Sequence, residues 1–298
     1  MKTIIKHNPK LILLLLISML LYSCSTVPIT GRKQFNVIPN SQMIQLGAEG
    51  YASFLSSNPA INPPTVQSVE VSTVGQNISR AVTQYMSLNN LSHLIDGYNW
   101  EFNTVQSNEI NAWCMPGGKI VVYTGILPIT EDAAGLAVVI GHEVAHAVAR
   151  HSNERMSQQL AIQLGGMTLA TAMQQKPEQT QNIFLSLYGI GSQLGAMAYS
   201  RKQEYEADKL GLIFMAMAGY NPQRAVSFWT KMANSSTGAK PPEFLSTHPS
   251  DANRISEIQK FLPEAMKYYT GSSTQSTSAP GTGTPTPKPP QKYNIKIK

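Results

Sequence analysis

Cysteine is nearly absent: Cys24 and Cys114 are the only two in 298 residues. That excludes a disulfide framework and a zinc site built on thiolates. Charge is also scarce, at 13% of residues against 42% apolar. Such a chain is too apolar to remain disordered, and it is long enough for one sizeable core or about one and a half domains. The formal net charge of +6 does not mark a basic face. Three lysines lie in residues 1–23 and four in 271–298, and neither end carries an acidic residue. The intervening body is close to neutral, so a nucleic-acid-binding surface is excluded. No internal repeat is visible.

No apolar run is long enough for an obvious membrane span near the start. Leu11–Tyr22 is apolar apart from Ser18 and follows Lys2, Lys6 and Lys10. Twelve helical residues reach only about 18 Å, short of the ~30 Å hydrocarbon core. A charged start followed by a short apolar stretch predicts an export signal over residues 1–23. Leu21-Tyr22-Ser23-Cys24 resembles the bacterial lipoprotein signal, which implies cleavage before Cys24 and acylation of that residue. Ser25 follows it and no acidic residue is close, which by analogy favours the outer membrane, with the chain facing the periplasm. At the other end, residues 271–298 are Ser, Thr, Gly and Pro without acidic residues, predicting a disordered tail. A second stretch, Gln179–Ser200, holds no charge, but its polar residues and glycines favour a buried core helix over a membrane span.

Between the ends, residues 24–39 read as a linker and 40–270 as the folded domain. Two helices are expected between Asn40 and Met86, broken at Asn58-Pro59 and Asn62-Pro63-Pro64. Tyr98–Val105, Asn111–Met115 and Lys119–Thr124 read as strands, the last two joined by Pro116-Gly117-Gly118. Thr130 is the expected N-cap of a helix running from Ala133 through His151, and helices follow to about Tyr269. The fold class expected is α+β, mostly α, with a small antiparallel sheet packed on the central helix.

That helix carries His142-Glu143-Val144-Ala145-His146, the HExxH pattern. Residues four apart share a helical face, so two imidazoles can hold one metal ion while Glu143 reaches a water as general base. The flanks are Gly, Ala, Val and Ile, where unsatisfied imidazoles and a carboxylate would cost several kcal/mol, on the order of a lost buried hydrogen bond each. Catalytic zinc usually takes three protein ligands and keeps one open position. The candidates for the third are His151, Glu204, Glu206, Asp208 and His248. On a continuous helix His151 points about 180° away from His142 and faces the helix C-terminus. Glu204 and Asp208 share one helical face, the second suited to orient a ligand imidazole. Glu206 faces the other way and reads as a solvated charge.

HEVAH, then SRKQEYEAD some 60 residues later, then STHPSDANRI, preceded by NAWCMPGGKIVVYTGIL, together resemble the HtpX/Oma-type family of zinc metallopeptidases, gluzincins related to CAAX prenyl endopeptidases. The resemblance covers roughly residues 40–262. It implies one Zn2+ per chain held by His142, His146 and Glu204, with Asp208 behind them. It further implies substrate backbone pairing at Asn111 and Ala112, an oxyanion role for His248, and an ion pair from Arg254 to a carboxylate near the Glu204 helix. The expected activity is endopeptidase cleavage of unfolded or misassembled envelope proteins, with protein substrates and a lipid-held membrane as partners. The competing expectation is an anchored chaperone for outer-membrane proteins with latent proteolysis. Cys114 and the 13 methionines read as core, His93 as a structural histidine, and Asn234–Glu243 as a lid or a plain connector.

Overall fold

The computed structural model describes residues 24–27, 30–190, 198–235, 242–249 and 253–271. The export signal, nearly all of the tail, the middle of the 234–243 loop and part of the uncharged 179–200 stretch lie outside the described residues. Among the described residues, no helix is long and apolar enough to cross a membrane.

The segment expected as a linker opens with a hairpin. Strands β1 (Cys24–Thr26) and β2 (Lys33–Phe35) pair antiparallel, Cys24 opposite Phe35. Val27 between them is buried in the main core. The proline-rich break falls where expected, between α1 (Asn40–Ser57) and α2 (Val66–Leu88). Thr65 caps α2, accepting from Ser68 N–H, while the Ser68 side chain accepts from Thr65 N–H. This reciprocal pairing satisfies donors that the first turn leaves open.

Strands β3 (Glu101–Val105), β4 (Ala112–Met115) and β5 (Lys119–Tyr123) form one sheet in the order β3-β5-β4. It is mixed, not antiparallel throughout: β4 and β5 are antiparallel, but β3 and β5 run parallel. The tight turn after β4 takes positive φ at Gly117 and Gly118, and a Cβ on Gly118 would meet the Trp100 ring at 2.6 Å. That turn dictates the β4–β5 hairpin. The loop from β3 to β4 leaves a gap one strand wide, and β5 fills it. Chain-order neighbours are usually sheet neighbours, which is why the sequence pattern misleads here.

The sheet separates two apolar layers by its period of two. Ala112, Cys114, Ile120 and Val122 face the larger core with α2. Trp113, Met115, Val121 and Tyr123 face a smaller one with α1. After the short α3 (Leu127–Thr130) comes α4 (Ala133–Val148). Asp132, not Thr130, is its N-cap, accepting from Gly135 N–H at 2.7 Å. The helix also ends earlier than predicted. Arg150 takes a left-handed conformation (φ 59°), and His151 begins a new helix, α5 (His151–Gln163). Helices α6 (Leu169–Gln175) and α7 (Pro177–Ser186) follow, so the uncharged stretch does not form one long core helix. Then come α8 (Arg201–Met217), α9 (Arg224–Asn234), the short α10 (Glu243–Thr247) and α11 (Arg254–Ala265). The α+β, mainly helical class holds. His93 is exposed, and Cys114 is buried, its thiol pKa pushed up by that burial.

Helices α4 and α8 cross at two glycines. A Cβ on Gly141 would sit 2.9 Å from the Gly211 carbonyl oxygen, and one on Gly211 would sit 2.9 Å from His142 N. Only bare backbone permits this approach. It brings the HExxH stripe of α4 against the Glu204-Asp208 stripe of α8.

Candidate metal centre

One turn of α4 separates His142 from His146, and their Nε2 atoms lie 3.0 Å apart. From α8, Glu204 places Oε1 3.3 Å from His146 Nε2 and Oε2 3.5 Å from His142 Nε2. The two Glu204 edges fit a metal, and the His142–His146 edge falls a few tenths of an ångström short of the same spacing. Donors at 2.0–2.2 Å from a tetrahedral zinc lie about 3.3–3.6 Å from one another. His248, just after α10, supplies a fourth donor: its Nδ1 is 3.2 Å from His142 Nε2 and 3.1 Å from Glu204 Oε1. One donor atom from each of the four residues lies within 4.8 Å of the others. Three ring nitrogens and a carboxylate converging in a buried space lack enough hydrogens to satisfy one another, whereas one cation satisfies all four.

The groups behind the donors hold them in place. His142 Nδ1 is 2.9 Å from Asp208 Oδ1. Arg254 donates to both Asp208 oxygens at 2.8 Å, and its guanidinium lies over the Trp229 ring, 3.4 Å from the centroid. Its Nη1 also lies 2.7 Å from Glu204 Oε2, off the N–H direction. Asp208 thus lies between His142 and Arg254. Burial opposes charging of His142, but Asp208 and Glu204 outweigh it and push its pKa up to about 9. Burial would raise the Glu204 carboxyl, yet the Arg254 and His248 charges hold it well below the usual range. Glu143 moves the other way: burial pushes its pKa up, against the pull of His248 and His142. A backbone hydrogen bond from Cys114 reaches its carboxylate.

His151 and Glu206 correct two expectations. The break at Arg150 turns His151 back, so that its Nδ1 lies 2.8 Å from His146 Nδ1 and its Nε2 2.8 Å from Glu206 Oε2. Neither residue joins the four donors, but they line up behind one of them. Glu206 is buried, not solvated, because α8 is covered on both sides; the helical wheel found the opposite face correctly and misjudged what lies there. Tyr199, which sequence reasoning missed, stacks on the His146 ring at 3.9 Å, and no local pattern marks it.

Asn111 and Ala112 lie at the start of β4, an edge strand of the sheet. Both are buried. Ala112 N–H donates to the Asn111 side chain, and Asn111 O accepts from Tyr123 N–H. Phe244 N–H of α10 donates to Ile110 O at 3.0 Å, so α10 covers the approach to this edge. His142, His146 and Glu204 are each 1% exposed and Glu143 2%, so a polypeptide reaches them only after α10 and His248 move.

Residues 74–262 match the model of peptidase family M48. The chain is 32% identical over 258 residues to a mitochondrial metalloendopeptidase OMA1 of Saccharomyces cerevisiae, covering 84% of this chain and 72% of that protein. It is 30% identical over 182 residues to a beta-barrel assembly-enhancing protease of Yersinia pestis, covering 58% of this chain and 37% of the relative. With the protein of that name in Escherichia coli it shares 26% identity over 245 residues, 80% of this chain and 47% of the relative. The aligned part spans less than half the length of these two bacterial relatives.

Proposed function

The chain belongs to peptidase family M48, and from that membership we propose that it is a zinc endopeptidase acting on unfolded or misassembled proteins of the bacterial envelope. The observation that carries the proposal is the buried triangle of His142 Nε2, His146 Nε2 and a Glu204 carboxylate beside Glu143. His142, His146 and Glu204 would hold the ion, and Asp208 keeps His142 turned toward it. When bound, zinc supplies Lewis acidity that polarises the scissile carbonyl and acidifies water. Glu143 does the proton work. Its carboxylate takes a proton from the attacking water and delivers it to the nitrogen of the departing amine.

At the β4 edge Ala112 would pair with an extended substrate through main-chain bonds once its N–H leaves the Asn111 side chain, while the Asn111 main chain stays paired to Tyr123; such pairing favours unfolded segments whatever their side chains. His248 has two places. In the closed arrangement its Nδ1 fills the fourth corner and its Nε2 is 3.2 Å from Glu143 Oε1, which keeps substrate and water out. Withdrawn from that corner, the ring donates toward the negative charge that builds on the carbonyl oxygen. Residues 1–23 act as a lipoprotein signal, Cys24 carries the anchor, and residues 40–270 are the catalytic domain. The setting is the periplasmic side of the outer membrane. The names of the bacterial relatives support the envelope role. A second reading, an assembly factor with latent proteolysis, is favoured by His248 in the fourth corner.

Glu143→Gln separates these. It should retain one zinc per chain and lose about 10²–10⁴-fold in cleavage of an unfolded test protein. Cleavage at the wild-type rate refutes the hydrolytic reading; lost cleavage with intact envelope assembly in cells favours the second.

A further inference from the structure

The N-terminal hairpin reaches the metal centre through two intervening residues, Glu206 and His151. Arg32 donates from Nε to Glu206 Oε2 at 2.7 Å, and the Thr30 hydroxyl donates to Glu206 Oε1. The rest of the Arg32 guanidinium grips Glu154 of α5, from Nη1 at 3.0 Å and Nη2 at 2.8 Å. From Glu206 the line continues through His151 to His146.

The direction of every hydrogen bond in this line follows from its first member. Glu206, facing an arginine and a hydroxyl donor, is an acceptor only. The His151 Nε2 that faces it therefore carries hydrogen, and a neutral His151 presents a bare Nδ1. Only a donor can face that atom, so His146 carries its hydrogen on Nδ1. Its Nε2 is then bare, and this is the atom that points at His142 Nε2 and Glu204. Ligand imidazoles are commonly oriented by a carboxylate on their other nitrogen. Here a second imidazole is inserted between ring and carboxylate, and the carboxylate is held by a strap from the far end of the chain.

We propose that Arg32 and Thr30 are positioning residues for the metal: through Glu206 and His151 they set the orientation and hydrogen placement of His146. The proposal rests on the zinc reading above. Arg32 has no contact with the metal donors, so its effect passes through Glu206. Without it, Glu206 loses its charged donor while still buried, and only the Thr30 hydroxyl is left to hold it in line with His151.

The test uses the mature chain from Cys24 and compares Arg32→Met, Arg32→Lys, Glu206→Gln and Glu154→Gln. Zinc affinity is read by competition with a chromophoric chelator, the ligand field by the visible spectrum of the cobalt(II)-loaded protein, and fold by melting of the chelator-treated protein. Arg32→Met and Glu206→Gln should weaken zinc about 10- to 100-fold and shift the cobalt spectrum. Arg32→Lys, which keeps a charged donor to Glu206, should stay closer to wild type. Glu154→Gln should lower the melting temperature by removing the other half of the Arg32 clamp, yet leave zinc affinity within about threefold, far short of an outer-shell effect. A purely structural Arg32 predicts instead that zinc affinity follows melting across all four variants, and that outcome overturns the proposal. So does wild-type zinc affinity in Arg32→Met and Glu206→Gln. If Arg32→Met does not fold, Glu206→Gln against Glu154→Gln decides alone. A wild-type chain that takes up no zinc defeats the metal reading itself, and that control is seen before any variant is compared.

Discussion

Gly211→Ala tests the crossing that builds the metal centre. The added methyl would lie 2.9 Å from both Gly141 C and His142 N. Carbon contacts are comfortable near 3.5 Å, so α4 and α8 must part by roughly 0.5 Å. Backbone on both sides gives the methyl no flexible neighbour to push aside. Overpacking of this kind costs about 1–3 kcal/mol. For a chain of this size each kcal/mol lowers Tm by roughly 2–4 °C. The centre feels the same displacement. His142 follows Gly141 directly, and Glu204 sits two turns before Gly211 on the same stripe of α8. The edges between Glu204 and the two histidines, 3.3 and 3.5 Å, already match a tetrahedral site, and metal–ligand distances tolerate only about 0.2 Å. The variant should therefore lose several degrees in Tm when chelator-treated, measured by calorimetry, and also bind zinc more weakly in a chelator competition. A variant with wild-type melting and wild-type zinc affinity would refute the claim that close backbone approach sets the donor geometry.

His248→Ala frees the fourth corner but also removes the oxyanion donor: zinc should remain bound, a small chelator should strip it faster, and cleavage of an unfolded protein should fall about 10²-fold or more in a fluorogenic assay. Acid should destabilise the chelator-treated protein through Asp208 and Glu206. Burial would raise both carboxyls, but Arg254 and His142 pull the first below its usual value, and His151 and Arg32 pull down the second. Depressed carboxyls bind fewer protons in the folded state, so their stabilisation is complete above about pH 5 and disappears as pH falls through the folded values. Asp208→Asn should flatten that acid limb in a Tm-against-pH series. Cys24→Ser should move the protein from the membrane pellet to the soluble periplasmic fraction on cell fractionation.

Much of the centre was legible because α-helical spacing is rigid. His142 with His146, and Glu204 with Asp208, are four apart, and four residues always return to one face. The errors arose where a local rule met a non-local cause. His151 was placed by extending α4 past Arg150, and nothing in the pattern signals a left-handed arginine there. Glu206 lies on the face expected but not in water, since what covers that face, His151 and Arg32, comes from 55 and 174 positions away. The antiparallel sheet expected is mixed, because β5 lies between β3 and β4 and runs parallel to β3. Arg32 had no local mark at all: a single arginine after a turn becomes meaningful only through its distant partners.

The hairpin's partners lie far downstream, 122 positions away at Glu154 and 174 at Glu206. Contacts of such long separation form late, after shorter loops have closed. During synthesis the first strands must therefore wait for α8 to be made before Arg32 finds its seat. The same helix carries Glu204, so the arginine strap and the carboxylate donor arrive together, and any shorter product of the ribosome lacks both.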